Sequence, residues 1–182
     1  MTNATAQEIA AGEFARVAQE YRPRILRFLL ASTRDADLAE TLTQECLLKA
    51  YRNWAGFRGE SSELTWLMRI AINLLKDHWR NRRMHFWRTV NNNAVDMDEA
   101  SEWLPSGERS AEQRILARER LGQVWKAVDG LSERQRSIFV LRYVNEMELS
   151  EIAQTVGLNE GTIKAHLSRA LAKVREQVGG KR

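Results

Sequence analysis

Residues 149–174 read LSEIAQTVGLNEGTIKAHLSRALAKV, and this stretch decides the fold. Ile152, Ala153 and Val156 make one apolar stripe, Gly157 permits a sharp turn, and Asn159 is a good N-cap for the segment that follows. Beyond the turn, Ile163, Leu167, Ala170, Leu171 and Val174 recur with the helical period and turn one face inward. Lys164, Ala165, Ser168 and Arg169 lie on the opposite face. Two helices about a tight turn, the second with a basic and polar outer face, have the layout of a helix-turn-helix, whose second helix fits a DNA major groove. An ordinary antiparallel helix pair with a solvated basic face would show the same pattern. Just upstream, Ser132-Glu-Arg-Gln135 has the form of a capping box, which opens a further helix.

Outward from this unit the chain continues to read as helix. It has two prolines, Pro23 and Pro105, and no sustained strand-type alternation. The spacing predicts a helix over about Glu8–Leu30, with Phe14, Val17, Tyr21, Ile25, Phe28 and Leu29 inward and a kink or break at Pro23. A second helix is expected over about Leu38–Trp54, its apolar side carrying Leu42, Cys46, Leu47 and Ala50. After a loop from Gly56 to Ser62, Ser61 or Ser62 caps a long helix reaching about Arg83. Between residues 91 and 112 the pattern stops: Asn91-Asn92-Asn93, Pro105-Ser106-Gly107 and six acids stand against Arg109 as the only base. Such a span reads as a flexible acidic linker. The expected architecture is all-α: a bundle over residues 8–88, the linker over 89–112 and a helix-turn-helix domain over 113–178.

Composition bounds the function. Lys and Arg (28) outnumber Asp and Glu (24), for a net charge of +4, so where the charge sits matters more than its total. The single cysteine, Cys46, excludes an internal disulfide and any multi-cysteine zinc cluster, and its helical apolar neighbours make it a core residue. No apolar run approaches the ~20 residues that span a bilayer, and Met1–Ala11 lacks the basic start and apolar middle of a signal peptide, so a cytoplasmic protein is expected. His78, His85 and His166 are scattered on presumptive helix surfaces. With no Gly-rich phosphate loop and no metal-ligand pair, neither enzyme chemistry, a cofactor nor a metal site is expected.

The long helix of the first domain supplies the second clue. Leu64, Leu67, Met68, Ala71, Leu74 and Leu75 form its inner side, while Arg69, Asn73, Lys76 and Arg80 recur at steps of four, three and four on one outer stripe. From Leu64 to Arg88 the only acid is Asp77, and Trp66, Trp79, Phe86 and Trp87 interleave the cations. Cations for phosphates beside rings for bases suit single-stranded nucleic acid. A charge run is otherwise just a solvated face, and Trp66 is expected in the core.

Against this background, Leu42-Thr-Gln-Glu45, the segment Tyr51-Arg-Asn-Trp-Ala-Gly-Phe-Arg-Gly-Glu-Ser-Ser62 and the segment Thr65-Trp-Leu-Met-Arg-Ile-Ala-Ile-Asn73 resemble the second conserved region of bacterial RNA polymerase sigma factors of the extracytoplasmic-function class, group 4. Leu131-Ser-Glu-Arg-Gln-Arg136, Glu151-Ile-Ala153 and Gly161-Thr-Ile-Lys-Ala-His-Leu-Ser-Arg-Ala170 resemble the fourth region. The resemblance covers about Phe14–Arg83 and Leu116–Val178, and the motifs gain specificity from their order and spacing.

The resemblance implies a promoter-specificity subunit, not an enzyme, that binds core RNA polymerase and promoter DNA. It implies minus-thirty-five contacts from Thr162, Lys164, Ala165, Ser168 and Arg169. Minus-ten contacts would come from Phe57, Arg58, Gly59, Glu60, Ser61, Arg69, Asn73, Lys76 and Arg80. Core polymerase would dock on Thr41, Leu42, Gln44, Glu45 and Lys49, although Thr41 stands where many relatives carry an acid, a role neighbouring Glu40 could take. The resemblance also implies control by an anti-sigma factor, in some members membrane-anchored, with no small-molecule substrate and a monomer when free. Two other readings stay open at this point: a self-sufficient dimeric helix-turn-helix regulator, and a decoy that sequesters a sigma factor's inhibitor.

Overall fold

A computed structural model describes the backbone of residues 2–86 and 111–179, with side chains placed for 11–81, 116–117 and 119–179. The described residues form seven α-helices and no strand: α1 Thr2–Thr33, α2 Ala36–Asn53, α3 Glu63–Phe86, α4 Ala111–Asp129, α5 Glu133–Tyr143, α6 Leu149–Val156 and α7 Glu160–Gly179, with a single 3-10 turn at Trp54–Gly56. The expected all-α fold is the one observed.

Helix α1 runs through Pro23 without a break, so of the expected kink or interruption the interruption does not occur. Pro23 and Gln19 are both exposed, so the carbonyl that proline leaves unbonded four residues earlier can be met by water. The helix ends where Arg34 takes a left-handed φ of 55°. Asp35 then caps α2, its carboxylate accepting from the Leu38 N–H at 2.9 Å. Of the two serines before α3, Ser62 is the cap, accepting from the Thr65 N–H at 3.1 Å.

Helices α1, α2 and α3 pack together. Phe14, Val17, Ile25, Phe28 and Leu29 of α1 meet Leu42, Cys46 and Ala50 of α2 and Leu64, Leu67, Met68, Ala71, Ile72, Leu74 and Leu75 of α3 in a buried core. Tyr21 and Leu47 stay half-buried at its edge. Burial pushes the Cys46 thiol up to about 12, with Glu45 adding to the shift, so the group is an inert apolar filler. In the second unit α4 and α5 pack on α7, and α6 on α5 and α7, around Val128, Ile138, Leu141, Ile152, Ile163, Leu167 and Val174. The Ser132–Gln135 capping box is formed in both directions.

The two units also touch, through α1 against α5 and α3 against α6. Three arginines of the first unit reach the C-terminal ends of three helices of the second. Arg34 pairs with Asp129, the last residue of α4, at 3.1 Å. Arg24 donates to the Asn145 carbonyl just past α5 at 2.6 Å, and the Asn145 side-chain amide donates back to the Arg24 carbonyl at 2.8 Å. Arg69 donates to the Gln154 carbonyl in the last turn of α6 at 2.8 Å. The last four carbonyls of a helix lack intrahelical partners and carry the negative end of its dipole, so a guanidinium there is favourable. In the return direction, Arg136 of α5 donates to the Ser32 carbonyl at 3.4 Å, with its guanidinium 5.8 Å from the Trp79 ring centroid.

Candidate nucleic-acid and polymerase interfaces

The helix-turn-helix is built from local rules. Helix α6 stops at Gly157, whose φ of 71° suits glycine, and the N–H groups of Gly157 and Leu158 both close on the Ala153 carbonyl. Asn159 then caps α7 by accepting from the Thr162 N–H at 2.8 Å. Ile163, Leu167, Ala170 and Val174 are buried, and the 3.6-residue repeat leaves Lys164, Ser168 and Arg169 exposed, with Ala165 and Thr162 half-exposed beside them. The structure thus gathers all five expected minus-thirty-five residues on one face. Thr162 also donates its hydroxyl to Asn159 at 2.9 Å, so part of its role is to hold the turn.

His166 is half-buried beneath this face rather than on the surface expected for it. Burial first, then the charges of Arg169 and Arg134, lower its pKa. His78 is likewise half-buried, while the side chain of His85 lies outside the described residues. Arg134 of α5 is a cation close to the α7 face that the sequence reading missed, because nothing in the period of α5 announces its neighbour on α7.

On the first unit, Arg69, Asn73, Lys76 and Arg80 are all exposed along α3, as their spacing requires. Arg80 pairs with Asp77 at 2.8 Å but remains 72% exposed. The loop before α3 is held by rings: Phe57 stacks on Trp54 at 5.3 Å and meets Trp66 at 5.2 Å, while Trp54 also meets Phe14 at 5.5 Å. Trp66, expected in the core, is therefore half-buried as the floor of the loop. Gly59, with φ 70°, turns the chain so that Arg58 and Glu60 are exposed and Ser61 half-exposed.

Two hollows flank Trp66. One, of about 560 Å³, is lined by Phe57, Arg58, Glu60, Ser61, Arg69 and, from the other unit, Gln154. The second, of about 490 Å³, opens towards α2 and is lined by Lys49, Asn53, Ile70, Asn73 and Asp77. Both are of the size that receives a small ligand or an extruded base. The side chains of Arg82, Arg83, Phe86, Trp87 and Arg88, and the expected linker up to residue 110, lie outside the described residues.

On α2, Thr41, Gln44, Glu45 and Lys49 share an exposed face. Glu45 and Lys49 pair at 3.2 Å, and Gln44 donates to Glu40 at 3.2 Å. Leu42 is a correction: it is 5% exposed and belongs to the core, so it supports this face from behind and does not form part of it. Glu40, the acid expected to stand in beside Thr41, is engaged by Arg22. Leu48 and Tyr51, half-exposed apolar side chains one turn on, extend the face and were missed. An apolar residue seven positions after Thr41 and four after Gln44 was the available signal.

Among the described residues no group of three His, Cys, Asp or Glu side chains is placed to hold a metal ion, and no helix is long and apolar enough to cross a membrane.

The model of the Sigma-70 region 2 family matches residues 17–84, and that of Sigma-70, region 4 matches residues 121–174. The chain is 30% identical to the RNA polymerase sigma-E factor of Streptomyces coelicolor, over 91% of this chain and 84% of that one. It is 32% identical to the RNA polymerase sigma-H factor of Pseudomonas aeruginosa, over 83% and 78%. Among solved structures, the sigma factor RpoE of Bartonella quintana, crystallised with the anti-sigma factor NepR, shares the fold with a TM-score of 0.72 at 24% identity, covering 93% of this chain and 99% of that one. CnrH, solved with the cytosolic domain of CnrY, matches with a TM-score of 0.67 at 18% identity over 98% and 96%. With both regions matched in order, the chain belongs to the sigma-70 family, as an RNA polymerase sigma factor of the extracytoplasmic-function class.

Proposed function

We propose that this sigma factor directs core RNA polymerase by three faces: α7 for duplex minus-thirty-five DNA, the α3 stripe with the Phe57–Ser61 loop for the opened minus-ten strand, and the outer face of α2 for core enzyme. The observation that carries this reading is the pairing of two exposed basic surfaces in one chain, Lys164, Ser168 and Arg169 on α7 and Arg69, Asn73 and Lys76 on α3. Arg169 suits bidentate contact to a guanine, worth ~1–3 kcal/mol of discrimination. The hollow beside the ring-braced loop suits an unstacked base: extrusion costs a few kcal/mol, and stacking returns ~1–3 kcal/mol per base.

The working units on this reading are residues 8–88, the linker 89–112 and residues 113–178. An anti-sigma factor is a fitting regulator, since the RpoE structure that shares the fold is a complex with one. Bond making belongs to the polymerase, and a cytoplasmic site of action follows from that partnership. The test is transcription with purified core polymerase on a library of genomic fragments. Discrete promoter-directed starts are expected, and an absence of any start dependent on this chain overturns the proposal.

A further inference from the structure

We propose that Trp54 is a positioning residue for promoter opening: it holds Phe57 in place for an unstacked base, and Phe14 of α1 steadies Trp54. The inference rests on the minus-ten role given above to the Phe57–Ser61 loop. Residues 57–62 stand outside any helix, so no helical ladder fixes their shape. At one end of the loop Ser62 caps α3, and at the other the hold is made by rings.

The 3-10 turn at Trp54–Gly56 sets this up. Residues three apart eclipse in such a turn, so the side chain at 54 comes into line with that at 57. The Phe57 N–H closes on the Trp54 carbonyl at 3.0 Å, and the two rings stack at 5.3 Å with 15° between their planes. Trp66 of α3 meets Phe57 at 5.2 Å and Trp54 at 6.0 Å, which joins turn, loop and helix in one set of rings. Phe14, buried in the bundle, meets Trp54 edge-on at 5.5 Å and 65°, a geometry that aromatic quadrupoles favour. Trp54 is itself half-buried, outside the enclosed set that fills the bundle. An aliphatic side chain could occupy its space but offers no plane to orient the Phe57 ring. Setting Phe57 before DNA arrives removes the cost of ordering it from the binding step.

The test uses holoenzyme assembled from the full-length chain and core polymerase, with a fluorescein-labelled fork-junction DNA from a promoter mapped by its transcript starts. An abasic nucleotide is moved one position at a time along the single non-template strand of the minus-ten element. For the parent, affinity is expected to fall about tenfold at the captured position, the scale of one lost base stack. Trp54→Leu should shrink that contrast to about twofold, while Trp54→Phe, which keeps a ring, should retain most of it. Both variants should bind core polymerase and an isolated minus-thirty-five duplex as the parent does, which a general loss of structure would not allow. Full contrast in Trp54→Leu overturns the proposal, and so does an equal loss in Trp54→Phe. If circular dichroism shows Trp54→Leu unfolded, Phe14→Leu decides from outside the loop: reduced contrast supports the brace and parental contrast overturns it. A parent with no sensitive position overturns the loop's minus-ten role and the brace together. A sensitive parent with unaffected variants refutes the brace alone.

Discussion

Asn159 holds Thr162 at two points, accepting its backbone N–H at 2.8 Å and its hydroxyl at 2.9 Å, and so sets where α7 begins relative to the turn after Gly157. Removing this cap exposes orphan N–H groups and lets the first turn of the helix fray. Asn159→Ala is expected to cost about 1 kcal/mol, lowering Tm by a few degrees in thermal melts. Binding to a minus-thirty-five duplex, assayed with holoenzyme, should fall further than stability does, because the residues proposed to face DNA start one turn later.

Leu42 and Leu48 lie six residues apart on α2 and should respond in opposite ways. Leu42→Ala empties a buried site and is expected to cost ~2–5 kcal/mol of stability. Leu48→Glu changes a side chain that is 48% exposed, so Tm should move by no more than about 0.5 kcal/mol equivalent. Its affinity for core polymerase, measured by fluorescence anisotropy of labelled protein, should drop at least fivefold. Unchanged affinity would remove Leu48 from the docking face.

Arg169 and Lys76 test the proposed division between base reading and phosphate holding. Arg169→Ala is predicted to relax preference at one minus-thirty-five base pair by ~1–3 kcal/mol, seen by comparing all four pairs at each position. Lys76→Ala should weaken open complexes evenly across promoters and shrink the salt slope by about one.

Gly59 has open space around it but a φ of 70°. Gly59→Ala therefore strains the backbone without a clash, at about 1–2 kcal/mol. The loop it shapes lies outside the core, so promoter opening, followed by permanganate reactivity of thymines, should suffer more than Tm.

Burial, then Arg169 and Arg134, hold the His166 imidazole below its ordinary value of 6.5. As pH falls, the unfolded chain takes up this proton before the folded one. His166 thus contributes stability that is present above pH 6.5 and lost as pH drops through the folded-state value. Denaturant midpoints should decline below pH 6.5, and His166→Gln should flatten that decline; identical pH profiles would exclude His166 as a source.

The elements were legible in the residues wherever the cause was local. The apolar period of α3 and α7, the Ser132 capping box, the Gly157 turn and the Asn159 cap all act within about one helical turn, and all appear as read. Pro23 does not interrupt α1, because the cost of a proline depends on whether water can reach the carbonyl it frees, which is a matter of exposure. Leu42 fell in a docking motif by sequence position, yet its helical phase points it into the bundle beside Cys46 and Ala50.

Sequence alone therefore determined the helices, their inner and outer faces, the two regions and the family they belong to, since each is written in short-range spacing and residue chemistry. Only the tertiary structure decided that Arg69 caps α6 from 85 positions away, that Arg134 lends its charge to the α7 face, and that Arg24 and Asn145 clasp across the units. Those pairings depend on which helix end arrives beside which side chain when two separate cores pack together, and no periodicity within either partner encodes that meeting.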